Sequence, residues 1–266
     1  MYEAFNMIII AIIQGITEFI PVSSSGHIVL AQHFTGMSVD AESDFAVNIL
    51  LHMGTFVAVI YIYRMTIMEL FKNLVSKDAQ EQRESFLYLW YIVLASIPVG
   101  IVGILFADDF EAAFGNPFFV SLMLFITAAI LFASRFGSVK DAGIITAKTA
   151  LLIGLAQVFA LFPGISRSGT TITAAILLGI TREEAGRFSF MIFLPAIGGA
   201  ALLKLPNITQ TDYSFALLTI AFFTSLVVGI FALKVLLKFV NKGKLYIFSP
   251  YCLVVAILSL ISLQFL

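Results

Sequence analysis

With 266 residues, 60% of them hydrophobic and only 12% charged, and a mean hydropathy of +1.03, the chain has too little polar surface to clothe a water-soluble globule. A net charge of −1 gives no basic face for nucleic acid, and 3 His with 1 Cys leave no material for a zinc cluster or a disulfide framework. Lipid is the solvent that this composition requires.

In chain order, the first stretch, MYEAFNMIIIAIIQGITEF, lacks the basic region and small-residue cleavage site of a secretory signal, and Gln14 and Glu18 interrupt it. It is expected to stay in the mature structure. The apolar region 4–33 is broken between Pro21 and Gly26, and a second one, 149–180, is broken between Pro163 and Gly169. Interrupted segments of this kind predict helix-loop-helix hairpins that enter and leave the membrane on one side. Unbroken apolar runs of about 20 residues, enough to cross a bilayer, lie near 45–64, 86–106, 117–135, 188–204, 214–238 and 248–265. The pattern predicts an all-α integral membrane protein with six transmembrane helices and two re-entrant hairpins. Cys252 lies in the last run and reads as packing filler. The 27 Phe read as packing and lipid-facing surface, some of it available to line an entry path for a lipid tail.

Charge placement sets an orientation, because short cytoplasmic loops retain Lys and Arg. Arg64, Lys72, Lys77, Arg83, Arg135, Lys140, Lys148, Arg182, Arg187, Lys234, Lys238, Lys242 and Lys244 all fall on one side of this layout, leaving Arg167 and Lys204. Asp40, Glu42, Asp44, Asp108, Asp109, Glu111 and Asp212 collect on the other. Both termini are therefore expected outside the cytoplasm, with the first hairpin dipping from outside and the second rising from the cytoplasm. A shift of 143 residues carries Gln14 onto Gln157, and the same shift carries Phe19, Ser23, Ser25, Gly26, Phe45, Leu51 and Ala58 onto Phe162, Ser166, Ser168, Gly169, Phe188, Leu194 and Ala201. This predicts one membrane domain made of an inverted-topology repeat, about 1–135 and 149–266, with its site near the midplane.

Two serine-rich breaks, Ser23-Ser24-Ser25-Gly26-His27 and Ser166-Arg167-Ser168-Gly169, precede helices expected over roughly 27–33 and 170–180. Helix starts carry unpaired N–H groups and partial positive charge, so two of them face to face form an anion cradle; the alternative is that these serines only cap the broken helices. Arg167 sits deep in an apolar region, where its planar fork suits phosphate oxygens or a structural pairing with Glu18. Glu18 shares a helix face with Gln14 at i−4, and a carboxylate beside an anion site binds a divalent cation, moves a proton, or pairs structurally. His27 is a candidate acid, base or nucleophile, or else a hydrogen-bonded cap. His33 and His52 have no comparable neighbours and read as interfacial or packing residues.

Over nearly its full length the chain resembles the undecaprenyl pyrophosphate phosphatase family associated with bacitracin resistance. The resemblance is carried by Gln14-x-x-x-Glu18 running into Pro21-x-Ser23-Ser24-Ser25-Gly26-His27, and by Pro163-Gly164-x-Ser166-Arg167-Ser168-Gly169-x-Thr171. It implies hydrolysis of a polyprenyl diphosphate to the monophosphate and phosphate, recycling the lipid carrier of cell-wall synthesis. It also implies a divalent cation, magnesium or calcium, and a multi-pass protein of the bacterial inner (plasma) membrane with its site open to the periplasmic or outer face. Position by position, Glu18 matches the essential glutamate and cation ligand, His27 the motif histidine, Ser24 a candidate nucleophile and Arg167 the phosphate-binding arginine. Gln14, Ser23, Ser25, Gly26, Ser166, Ser168, Gly169 and Thr171 match substrate-binding or supporting positions. Gln14 stands where some members have a second glutamate, so a mechanism needing two carboxylates there does not carry over. The expected partners are the polyprenyl diphosphate and membrane lipids, not nucleic acid; a homodimer is left open. A transporter or flippase of lipid phosphates would need the same cradle and is the alternative that the residues alone allow.

Overall fold

The computed structural model describes residues 2–35, 41–137, 143–204 and 213–265, and holds no strand among them. Asp40, Lys140 and Asp212 lie outside the described residues, as do the side chains of Glu42, Asp44, Phe45 and Lys204. The chain is built from eleven described α-helices. The first arm, α1 (Tyr2–Thr17), breaks at Glu18 and resumes as α2 (Ser24–Thr35). Three longer helices follow: α3 (Ala41–Asn73), α4 (Ala79–Leu105) and, after the short α5 (Ala107–Phe114), α6 (Pro117–Ala133). A second broken pair, α7 (Ala147–Phe159) and α8 (Arg167–Leu177), leads to α9 (Arg182–Lys204), α10 (Phe215–Asn241) and α11 (Ser249–Ser262).

Among the described residues, six helical stretches are long and apolar enough to cross a membrane: Val47–Asn73, Ala79–Leu105, Pro117–Phe136, Arg182–Leu203, Phe215–Asn241 and Leu245–Ser262. Each coincides with a span expected from the sequence, and the protein is a multi-pass membrane protein. Their outward faces carry large apolar side chains such as Met65, Trp90, Phe118, Phe223 and Leu258, which a lipid solvent accommodates and water does not. The helices overrun the apolar runs at polar ends. The stretch 65–85, expected as a loop, is helical except for a short turn, because Asp78 caps α4 by accepting from the Gln80 amide at 2.8 Å.

Packing brings the two halves of the chain together. In the first half α1 lies on α10 and α3 on α10; in the second α7 lies on α4; and α6 lies on α11. Small residues allow the close approaches. A Cβ on Gly154 would stand 2.3 Å from the Ala95 carbonyl oxygen, and one on Gly54 would stand 2.8 Å from that of Phe222. Phe19, Phe188, Phe190, Ile192, Leu233 and Leu236 are fully buried at the centre.

Candidate active site

Both breaks are built in the same way. Ser23 and Ser166 take extended or left-handed backbone, Ser23 at φ 72°, and turn their hydroxyls forward. Ser23 Oγ accepts from the Gly26 amide at 3.2 Å, and Ser166 Oγ accepts from the Gly169 amide at 3.1 Å. Ser23 and Ser25 hydroxyls lie 3.3 Å apart, Ser166 and Ser168 hydroxyls 3.4 Å. Every one of these pairs is related by the 143-residue shift. The helices consequently start earlier than the sequence suggests, at Ser24 and Arg167, so the serine stretches are first helical turns and not loops. Capping explains why: once Ser23 and Ser166 satisfy the amides three residues on, the intervening residues are held helical. For these two serines the capping role is realised.

The two breaks touch. A Cβ on Gly26 would stand 3.1 Å from the Gly164 Cα, a tight contact that glycine avoids. Gly164 itself has φ +99° and leaves no room for a side chain against the Val120 carbonyl. Thr127 of α6 ties the second break down, donating to Gly164 O at 2.7 Å and accepting from the Ser166 amide at 3.0 Å. Ser168 donates to the Phe19 carbonyl at 3.1 Å across the junction. Thr171 donates to Arg167 O at 2.9 Å and also bonds the Ser189 hydroxyl, fixing α8 to α9.

Glu18 is the hub of the junction. Its side chain is 4% exposed, and a buried carboxylate survives only when its oxygens are paired. Oε2 accepts from Gln14 Nε2 at 2.9 Å and from Ser24 Oγ at 2.7 Å, while Oε1 faces Arg167 NH2 at 3.2 Å. The Arg167 guanidinium also lies 4.8 Å over the Phe193 ring, and its NH1 is buried without a partner among the described residues. The sequence-derived Glu18, Gln14, Ser24 and Arg167 are thus brought into one cluster.

His27 is not part of that cluster. Its Nδ1 bonds the Ser23 carbonyl at 2.8 Å and its Nε2 the Tyr251 hydroxyl at 2.9 Å. His52, read as a packing residue, instead reaches the site: its Nε2 lies 3.6 Å from Glu18 Oε2, while Nδ1 is anchored on Asn48 O at 2.8 Å. No short-range motif flags His52; the available signal was two polar residues one turn apart, Asn48 and His52, inside an apolar span. Phe193, Thr127 and Tyr251 likewise enter only through tertiary packing. A cavity of about 300 Å³ lies beside His52, bounded by Ser25, Gln32 and Asn48 on its polar side and by Ile28, Ile49, Phe114 and Ile197 elsewhere.

The donor set can be tested for a divalent cation. No group of three His, Cys, Asp or Glu that could hold a metal exists among the described residues. Beside the Glu18 carboxylate, however, Gln14 Oε1 is buried and lacks a hydrogen-bond partner among them. A carboxylate with one neutral amide oxygen fits a hard cation whose remaining positions come from phosphate and water.

Residues 7–258 match the family described as bacitracin resistance protein BacA. The chain belongs to this family. Within it, the chain is similar to "Undecaprenyl-diphosphatase 1" of Bacillus cereus, 38% identical over 269 residues and 98% of each chain. It is 36% identical to "Undecaprenyl-diphosphatase" of Methanosphaera stadtmanae over 278 residues, again 98% of each. The relative of the same name from Oceanobacillus iheyensis is 38% identical over 264 residues, covering 96% of this chain and 95% of the relative. Both sequence motifs therefore lie at the junction, and three of their polar side chains, Gln14, Ser24 and Arg167, bond Glu18.

Proposed function

We propose that the protein is an undecaprenyl-diphosphatase, hydrolysing a polyprenyl diphosphate to the monophosphate and inorganic phosphate. The observation that carries this beyond family membership is Arg167: one guanidinium nitrogen bonds Glu18 and another, NH1, is buried with no partner among the described residues. A buried charged donor left unpaired is costly, and a phosphate oxygen would satisfy it.

Ser24 is the nucleophile, because its O–H already donates to a carboxylate, whereas both His27 ring nitrogens are engaged elsewhere. Ser24 Oγ attacks the terminal phosphorus, its proton passes to Glu18 Oε2, the anhydride P–O bond breaks, and the departing monophosphate oxygen takes that proton. Water then attacks the phosphoserine; Glu18 accepts the water proton and returns it to Ser24 as inorganic phosphate leaves. Arg167 and the first-turn amides of α2 and α8 hold the phosphoryl oxygens as charge develops on them. A divalent cation held by Glu18 and Gln14 Oε1 would neutralise charge on the diphosphate oxygens. The cavity at His52 takes the part of the lipid next to the diphosphate, its apolar walls suiting a prenyl chain.

The two broken pairs act as re-entrant hairpins of an inverted repeat. The 143-residue recurrence of the serine bonds and the exchange of partners, α1 on α10 and α7 on α4, support this reading. The basic and acidic loop asymmetry supports a plasma-membrane protein whose site opens outward, on the side of Phe114. Purified protein in detergent, with no gradient present, is expected to release phosphate from a polyprenyl diphosphate. Binding without release would instead favour the lipid-phosphate transporter.

A further inference from the structure

His52 enters the junction from α3 with its two ring nitrogens differently placed. The Asn48 carbonyl can only accept, so Nδ1 carries the hydrogen that spans the 2.8 Å between them. Nε2 is then the lone-pair nitrogen, and it stands 3.6 Å from Glu18 Oε2, too far for a hydrogen bond. A lone pair set against a carboxylate oxygen is favourable only when a positive centre is shared between them. Ligand bonds of about 2.1 Å put two ligands of one cation about 3.0 to 4.2 Å apart, depending on the angle at the metal, and this pair falls inside that range. A ring N–H tied back to a backbone carbonyl is also the support that ligating histidines have, because it fixes the tautomer and the ring plane. Gln14 brings a further oxygen to the same carboxylate. Its Nε2 bonds Glu18 Oε2 at 2.9 Å, while its Oε1 is buried and has no hydrogen-bond partner among the described residues. A proton on His52 Nε2 would satisfy the His52–Glu18 pair alone and leave that amide oxygen unspent. The His52 side chain is 27% exposed and lines the cavity, which gives a cation a way in.

From this geometry we infer that His52 Nε2 is a ligand of the divalent cation that Glu18 and Gln14 hold, and that it turns the site toward a transition-metal dication such as manganese in preference to calcium. Calcium and magnesium take oxygen shells, whereas first-row transition dications accept imidazole. His52 thereby adds a strong ligand to a motif that has only one carboxylate. The use made of the cation rests on the phosphatase reading; its binding does not.

The test is manganese binding to the tag-free protein in detergent, followed by electron paramagnetic resonance with detection of nitrogen couplings. Wild type is expected to hold manganese that carries the nitrogen coupling of an imidazole. His52→Gln, which keeps a polar side chain, is expected to lose that coupling and to bind manganese at least about tenfold more weakly. It is also expected to lose its preference for manganese over calcium in competition. The assignment can be made without touching His52, should that variant fail to fold. In the His27→Gln, His33→Gln double variant His52 is the last of the 3 histidines, and the coupling is expected to persist. No manganese bound by wild type, or a coupling that survives in His52→Gln or vanishes in the double variant, would overturn the inference. Bound manganese without an imidazole coupling would overturn it too, and leave His52 as an imidazolium paired with Glu18. Phosphate release from a prenyl diphosphate on the same samples separates the two readings: the imidazole coupling without turnover under any dication would defeat the phosphatase reading and spare the site.

Discussion

Glu18 holds four polar neighbours around one buried carboxylate, and they are not equivalent. Gln14 and Ser24 bond the same oxygen, Arg167 the other, and His52 stands farther off, 27% exposed toward the cavity. Charge at this position balances Arg167 and, in the proposed reaction, accepts the Ser24 proton. Glu18→Gln is therefore expected to lower phosphate release by roughly 10³-fold or more, in the range spanned by loss of a positioned base. Gln14→Ala removes one neutral bond and one candidate cation oxygen, and is expected to lower it by about tenfold. Initial rates over a range of divalent-cation concentrations check both; equal losses would make Glu18 a structural partner of Arg167 only. Of these residues, Glu18, Gln14, Ser24 and Arg167 were legible in the sequence because each sits in a short motif with an i−4 or adjacent spacing. His52, Phe193 and Tyr251 were not, because their roles depend on α3, α9 and α11 packing against the breaks.

At the level of elements, the same division holds. The six spans were legible from length and hydropathy, since lipid demands continuous apolar surface. The starts of α2 and α8 were misplaced by about one turn, because a serine cap is read locally as a loop until its amide partner is known. The contact between the breaks was legible only as an expectation from the repeat; its physical basis is the pair Gly26 and Gly164. Gly164 combines φ +99° with a Val120 oxygen 2.5 Å from any Cβ. Gly164→Ala is expected to destabilise the protein by about 1–3 kcal/mol from backbone strain and to reduce turnover by parting Arg167 from Glu18. Thermal unfolding in detergent, beside the rate, measures both effects. An unchanged melting temperature with full activity would show that the second break is not strained against α6.

For the whole molecule, basic residues flank the turn between α3 and α4, whereas Asp108, Asp109 and Glu111 lie within α5. That asymmetry predicts Ser76 in the cytoplasm and Asp109 outside. The single native Cys252 is buried, so introduced cysteines can be labelled against a low background. An impermeant thiol reagent on intact cells is expected to modify Asp109→Cys and spare Ser76→Cys; the opposite pattern would invert the orientation. In the proposed function, two breaks drawn from separate halves of the chain make one phosphate site whose decisive donor is Arg167. A diphosphate gains charge on its oxygens as the anhydride breaks, and a guanidinium fixed over Phe193 and against Glu18 stabilises that charge without reorganising. Lysine keeps the charge but loses the fork. The most direct measurement is phosphate release from undecaprenyl diphosphate by purified Arg167→Lys in detergent, beside its melting temperature. The expected result is a loss of roughly 10²-fold or more, in line with removal of one preorganised donor, in a protein that still folds. Near-normal release would contradict the account and leave the anion site to the serine caps and the cation.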